Sequence, residues 1–186
     1  MGCCWDGGKF DKYIQRYWSQ QPFTVLFVDG NHENFKVLNS YSTTIWNGGE
    51  IHQITDNIIH LKRGQAYTIY DRKIFTFGGA RSHDKEYRKE GVSWWPEEMP
   101  SLEEYQLALK NFKKEDYFDY LITHCADSKT VFHINPKFKT DYCTDFIQCL
   151  KNTNKIGHHF CGHYHIDVED TDTNTDILYK DIIEIT

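Results

Sequence analysis

No run in this 186-residue chain comes near the stretch of about 18 apolar residues that a membrane-crossing helix needs. Nor does a charged start lead into an apolar core and a small-residue cleavage site, so no secretory leader is expected and the cytoplasm is the expected location. A Cys-x-x-Cys pair is also missing. The cysteines stand at positions 3, 4, 125, 143, 149 and 161, which excludes a zinc ribbon or thioredoxin-type motif and leaves small buried hydrophobes as their reading. Basic surplus is absent too: the net charge is −6, and acid gathers between Asp167 and Asp176. A nucleic-acid footprint is therefore not expected, and a polyanionic substrate would need local positive charge such as a metal. Membrane partners are not expected either, and the oligomeric state is not legible. The opening Met-Gly-Cys-Cys has the look of an acylation signal, with Gly2 for myristate and Cys3 and Cys4 for palmitate. Asp6 in place of the usual Ser or Thr argues against it.

What is present is globular: 39% hydrophobic, 16% aromatic, four prolines, and no repeat or linker, which predicts a single domain over 1–186 with one core. Phe10, Tyr13, Ile14, Tyr17 and Trp18 recur at three- and four-residue spacing and predict a helix over Lys9 to Gln20 with one buried face, ended by Pro22. The apolar run Phe23 to Val28 predicts a strand covered on both faces, stopping at Asp29-Gly-Asn-His-Glu33. A short helical piece at Phe35 to Leu38 is followed by strands at Ile51 to Ile54, Ile58 to Leu61, Ala66 to Tyr70 and Lys73 to Phe77. The last two are expected to form a hairpin across Asp71-Arg72. Ser101-Leu-Glu-Glu104 is a capping box opening a helix to about Lys114, and Tyr117 to Thr123 is a second apolar strand. A helix near Asp141 to Lys151, a strand at Ile156 to Cys161 and two or three closing strands complete an α/β pattern with a mixed sheet.

Three strand ends carry histidine beside small residues: Gly30-Asn31-His32-Glu33, Thr123-His124-Cys125 and Gly162-His163-Tyr164-His165. Sites form at the carboxyl ends of strands in open α/β sheets, so these three are expected to converge. In an extended segment His163 and His165 would point the same way, about 7 Å apart, each toward a different ion of a metal pair. Two metals about 3.5–4 Å apart are a common device for phosphoester hydrolysis, and imidazole with amide oxygen suits Mn, Fe, Zn or Ni. Taken singly, a histidine is more often surface or satisfied core, and His52, His60, His133, His158 and His159 are read so.

The ordered set Gly30 to Glu33, His124 and Gly162 to His165 resembles the calcineurin-like metallophosphoesterases. Gly78-Gly-Ala-Arg-Ser-His-Asp84 and Ser93-Trp-Trp-Pro-Glu-Glu98 resemble a small bacterial or phage branch of that family. The resemblance implies an αββα sandwich with mixed sheets. It implies two divalent metal ions in the intact site, with Asn31, His124 and His163 binding one and His165 the other. His32 would lie beside the scissile phosphate as hydrogen-bond donor or general acid, and Glu33 would orient His32 or its loop. Arg81 and His83 are candidates for substrate contact, a solvated loop being the plainer reading. The activity implied is hydrolysis of phosphomonoesters or phosphodiesters by a metal-activated hydroxide, the phosphoester being the partner.

The family's two N-terminal motifs, D-x-H and G-D, have no counterpart: no D-x-H precedes Gly30 and no Gly-Asp occurs anywhere. In relatives, the residues after G-D resemble Gly2-Cys-Cys-Trp-Asp-Gly7, so an N-terminally truncated domain is expected, lacking a first strand, helix and second strand. A sheet edge would then stand unpaired, one metal or none would be held, and activity would be impaired. Asp6 and Asp29 are expected in turn roles rather than as substitute ligands. Two alternatives stay open: a non-catalytic remnant binding one metal, a phosphate or a partner, and a zinc-stabilised domain using Cys161, His163 and His165 on one face of an extended strand.

Overall fold

A computed structural model describes residues 4–185. Gly2 and Cys3, on which the acylation reading rests, lie outside the described residues. The chain runs α1 (Lys9–Ser19), β1 (Val25–Phe27), α2 (Phe35–Leu38), β2 (Thr43–Trp46), β3 (Gly49–Thr55), β4 (Ile58–Leu61), β5 (Gln65–Ile69) and β6 (Arg72–Phe77). It continues through α3 (Leu102–Phe112), β7 (Phe118–Thr123), α4 (Ser128–Ile134), α5 (Tyr142–Lys151), β8 (Ile156–Cys161), β9 (Val168–Asp170) and β10 (Thr175–Ile177). This is the expected α/β class, with two mixed sheets.

The first sheet has the order β1-β4-β3-β2, parallel between β1 and β4 and antiparallel elsewhere. The second has the order β5-β6-β7-β8-β10-β9, with β6, β7, β8 and β10 parallel and an antiparallel strand at each side. Sheet meets sheet where Ile51, Ile59 and Leu61 pack with Tyr67 of β5. Helices α3 and α5 cover the second sheet, Ala108, Phe112, Ile147 and Leu150 packing on Phe75, Phe77, Phe118 and Leu121. Against the first sheet lie α2, through Phe35 and Leu38, and α1, through Ile14 and Trp18, around Ile54 and Ile58.

Several sequence expectations are corrected. β1 is shorter than the apolar run and forms one edge of its sheet, pairing only with β4, while both its faces are packed as expected, Val25 and Phe27 in the cluster with Ile54 and Ile58 and Leu26 in that with Ile51 and Ile59. In α1 the apolar residues do not share one buried face. Phe10, Tyr13 and Tyr17 stay exposed, and Asp11 is the buried residue because its carboxylate accepts the N–H groups of Trp5, Asp6 and Gly7. The hairpin turn lies one residue earlier than expected, at Tyr70 and Asp71, both with positive φ (48° and 63°). β2 and α4 were not anticipated.

Asp29 is no turn residue. Its carboxylate is buried and accepts from Arg63 Nε (2.8 Å) and Nη2 (2.6 Å), with His60 Nε2 3.1 Å away. Burial opposes its ionisation, but the Arg63 charge and the His60 contact outweigh that and hold its pKa well below the ordinary range. Asp6 does take a turn role, accepting from Gly8, Phe10 and Asp11 ahead of α1.

A second buried charge ties α4, α5, β8 and β10 together. Asp127 caps α4 by accepting from Thr130 N (3.1 Å), and Lys151 Nζ donates to Asp127 Oδ2 at 2.6 Å. Buried His159 sits in the same network, 2.7 Å from Thr123 Oγ1. Lys151→Met would leave the Asp127 carboxylate buried without its cation, and a loss of about 3 kcal/mol is expected by chemical denaturation; a change under about 1 kcal/mol would contradict the pairing. Burial also pushes the His159 imidazole down to about 4, and His52 likewise to about 4. In the unfolded chain both titrate near about 6.5, so between those values the unfolded state binds protons that the folded state does not. Their contribution is complete above about pH 6.5 and is lost as pH falls toward about 4, at up to about 1.4 kcal/mol per pH unit for each imidazole. A melting temperature flat from pH 7 to pH 4.5 would contradict this, and His159→Gln is expected to weaken the slope.

Candidate functional site

The three motif loops converge as expected. Gly30, Asn31, His32 and Glu33 follow β1, His124 follows β7, and His163 and His165 follow β8. Together with His83 they line one cleft of about 870 Å³. The His124 and His163 rings lie 5.1 Å apart, and His83 lies 5.7 Å from His163.

Asn31 is buried, and the direction of its amide is fixed by its neighbours. Its Nδ2 donates to Ser82 Oγ (3.0 Å), while Ser82 in turn donates its hydroxyl to Glu98 Oε2 (2.6 Å) and its N–H to Glu98 Oε1 (2.9 Å). With the hydroxyl proton spent on Glu98, Ser82 Oγ can only accept from Asn31, which turns the Asn31 carbonyl oxygen toward His124. There Asn31 Oδ1 stands 3.0 Å from His124 Nε2. Gly30 is required beside it, because a Cβ at that position would come 2.9 Å from His124 Cε1.

Burial also sets the protonation of the imidazoles. It lowers His124 to about 3, with the His163 ring adding to the effect, and lowers His163 to about 4, with His83 adding. His32 is lowered by desolvation and then by the Arg88 charge. All three are therefore held neutral at pH 7, the form in which imidazole binds a metal or donates a single hydrogen bond. Glu33 is buried in the same cleft, and desolvation raises it to about 7.

The expectation of an extended His163-Tyr164-His165 is corrected. β8 ends at Cys161, and His163 and His165 both have positive φ (72° and 55°), so the segment is a bend rather than a strand. His163 turns toward His124, while His165 stacks on Tyr179 with ring centroids 4.9 Å apart. The bend also removes the shared strand face invoked for a structural zinc site on Cys161, His163 and His165, and Cys161 is buried among Ala126, Val131 and Ile177. Arg81 does not join the cleft: it is exposed and lines a separate cavity with Lys85 and Trp94. Among the described residues, the histidine, cysteine and carboxylate side chains that come together in threes with ligand atoms within 4.8 Å of one another are His133, Asp170 and Asp172, none of which lines the cleft. His133 Nδ1 there already contacts Asp170 Oδ2 at 2.8 Å.

Four residues not expected as site residues complete the cleft: Phe10 and Arg88, and Trp5 and Asp84 from segments that resemble the family. Arg88 is engaged by Asp84 through two 2.6 Å contacts. Trp5 is held at the cleft because Asn34, which follows Glu33, donates its backbone N–H to Cys4 O (2.7 Å) and its Nδ2 to Trp5 O (3.0 Å). The sequence signal for these contacts is the Gly78–Asp84 and Ser93–Glu98 segments, which carry Ser82, Asp84 and Glu98. No family model and no curated protein sequence matches this chain.

Ser82→Ala would strip the Asn31 amide and the Glu98 carboxylate of a shared buried partner. A loss of about 1–3 kcal/mol is expected in denaturant unfolding; unchanged stability would show that the amide is not held in this way.

Proposed function

We propose that the cleft is a metal-dependent phosphoesterase site. The observation that supports this most is the meeting of Asn31, His124 and His163, from three separate strand ends, with the oxygen of the amide and the nitrogen of an imidazole 3.0 Å apart. Neighbouring ligands of one transition-metal ion stand at about this separation, since each bonds at about 2.0–2.2 Å. Neutral, half-buried imidazoles suit such an ion, so Asn31, His124 and His163 fit a divalent cation such as Mn, Fe, Zn or Ni. His165, on the same bend, is the donor for a second. A bound cation would supply Lewis-acid polarisation of a phosphoryl oxygen. The chain's own groups do the rest. His32 at the cleft's edge donates a hydrogen bond to the leaving oxygen, and Ser82 with Glu98 keeps the Asn31 amide from rotating away.

One observation favours a second reading, a non-catalytic cleft that binds one metal or phosphate. The acids that line it among the described residues are Glu33, which burial raises to about 7, and Asp84, which is engaged by Arg88. Asp29 is committed to Arg63 and Asp6 to the turn before α1, so neither offers a carboxylate to the histidines. An anionic ligand to bridge two cations is thus not evident.

Elemental analysis with an assay of phosphomonoesters and phosphodiesters in manganese separates the two readings. The phosphoesterase reading expects turnover that falls by about 10²–10⁴-fold in His32→Ala and disappears with metal retention in His163→Ala. Metal at one ion per chain or less with no hydrolysis of any ester would leave only the second reading.

A further inference from the structure

The cleft has an aromatic wall on the side of His32. Trp5 meets the His32 ring edge-on, with centroids 6.4 Å apart, and its own position is set by Trp95 at 5.5 Å and by the Asn34 hydrogen bond to Trp5 O. Phe10, on the first turn of α1, lines the same cleft and is 50% exposed. A phenyl ring so exposed is costly in water, and here it is not spare core surface. α1 packs on the first sheet through Ile14 and Trp18, whereas Phe10 reaches the cleft because Asp6 and Asp11 fold residues 4–8 back beside the Gly30–Glu33 loop. His83, in the same cleft, lies against His163 and Phe138. His32 thus touches both groups, with Trp5 edge-on to its ring and Asn31 Nδ2 3.3 Å from its Nε2.

We infer that Trp5 and Phe10 form a leaving-group subsite for a flat aromatic ring, so that the cleft prefers aryl phosphoesters to alkyl ones. The inference rests on the phosphoesterase reading: if His32 contacts the leaving oxygen, the group attached to that oxygen is carried against Trp5 and Phe10. An aromatic ring there gains apolar burial and edge-to-face contact that a small alkyl group cannot. Arg88 and Asp84, which line the same cleft, are paired with each other. Phe10 is a subsite residue with no part in bond breaking, and its exposure makes Phe10→Ala compatible with folding.

The test measures binding without chemistry, using phenylphosphonate and methylphosphonate with manganese in calorimetric titrations of the full chain. The expected result is binding of phenylphosphonate tighter by about tenfold or more, with that ratio falling several-fold in Phe10→Ala and recovering in Phe10→Tyr. Equal affinities, no binding of either phosphonate, or a ratio unchanged in Phe10→Ala would overturn the inference. A parallel turnover assay on phenyl phosphate and glycerol 2-phosphate keeps the two claims apart. Turnover without a phenyl preference in binding removes the subsite alone. A Phe10-dependent phenyl preference without turnover removes the phosphoesterase reading and leaves an aryl-binding cleft.

Discussion

Asp29 places a carboxylate where almost no water reaches it, and the structure around the cleft is organised by what that charge requires. An unpaired carboxylate in such a place would be protonated or would pull the loop open. Arg63 answers with two donors to one oxygen, and His60 stands at the other. The guanidinium then spends its remaining donors on Glu104, in the capping box of α3, and on the carbonyl of Glu97. One ion pair thus joins the end of β1, the segment after β4, the turn before α3 and α3 itself. The fit leaves no room for a side chain at position 78, where a Cβ would come 2.7 Å from Asp29 O. Such a pair is not strong evidence of net stability, because desolvation consumes much of its attraction, but its geometry admits one arrangement of these segments.

That arrangement positions the candidate site. Gly30 to Glu33 begin immediately after Asp29, so a loop that would otherwise be mobile starts from a fixed point between the sheets. Glu98, one residue beyond the carbonyl that Arg63 holds, reaches Ser82 and through it the Asn31 amide. Parallel pairing of β6, β7 and β8 brings the ends carrying Ser82, His124 and His163 to one side of the second sheet. Partial desolvation then does the electrostatic work, lowering the pKa of His124 and His163 below that of a fully solvated histidine.

Much of the fold was legible because its elements obey local rules. The Ser101 and Asp141 caps start helices where the sequence places them, and the apolar runs at Ile58 and Phe118 are strands. β2 was missed because Thr43 to Trp46 is too short to stand out by periodicity, although Asn47-Gly48, both with positive φ, is a strong hairpin signal. α4 was hidden by β-branched residues in a seven-residue helix whose best local signal is its Asp127 cap. The motif residues were legible as a set, and they converge. Their geometry was not: positive φ at His163 and His165 depends on tertiary contacts, and the role of Asp29 depends on an arginine 34 positions away. The aromatic side of the cleft was invisible for the same reason, because Phe10 obeys the helical pattern of a core residue yet faces the cleft.

In the proposed site Asn31, His124 and His163 would hold one metal ion together. Anomalous diffraction at the manganese edge from crystals grown with that ion tests it most directly. The account predicts a peak within bonding distance of Asn31 Oδ1, a His124 ring nitrogen and a His163 ring nitrogen. A cleft without a peak, or a peak solely at His133, Asp170 and Asp172, would contradict it.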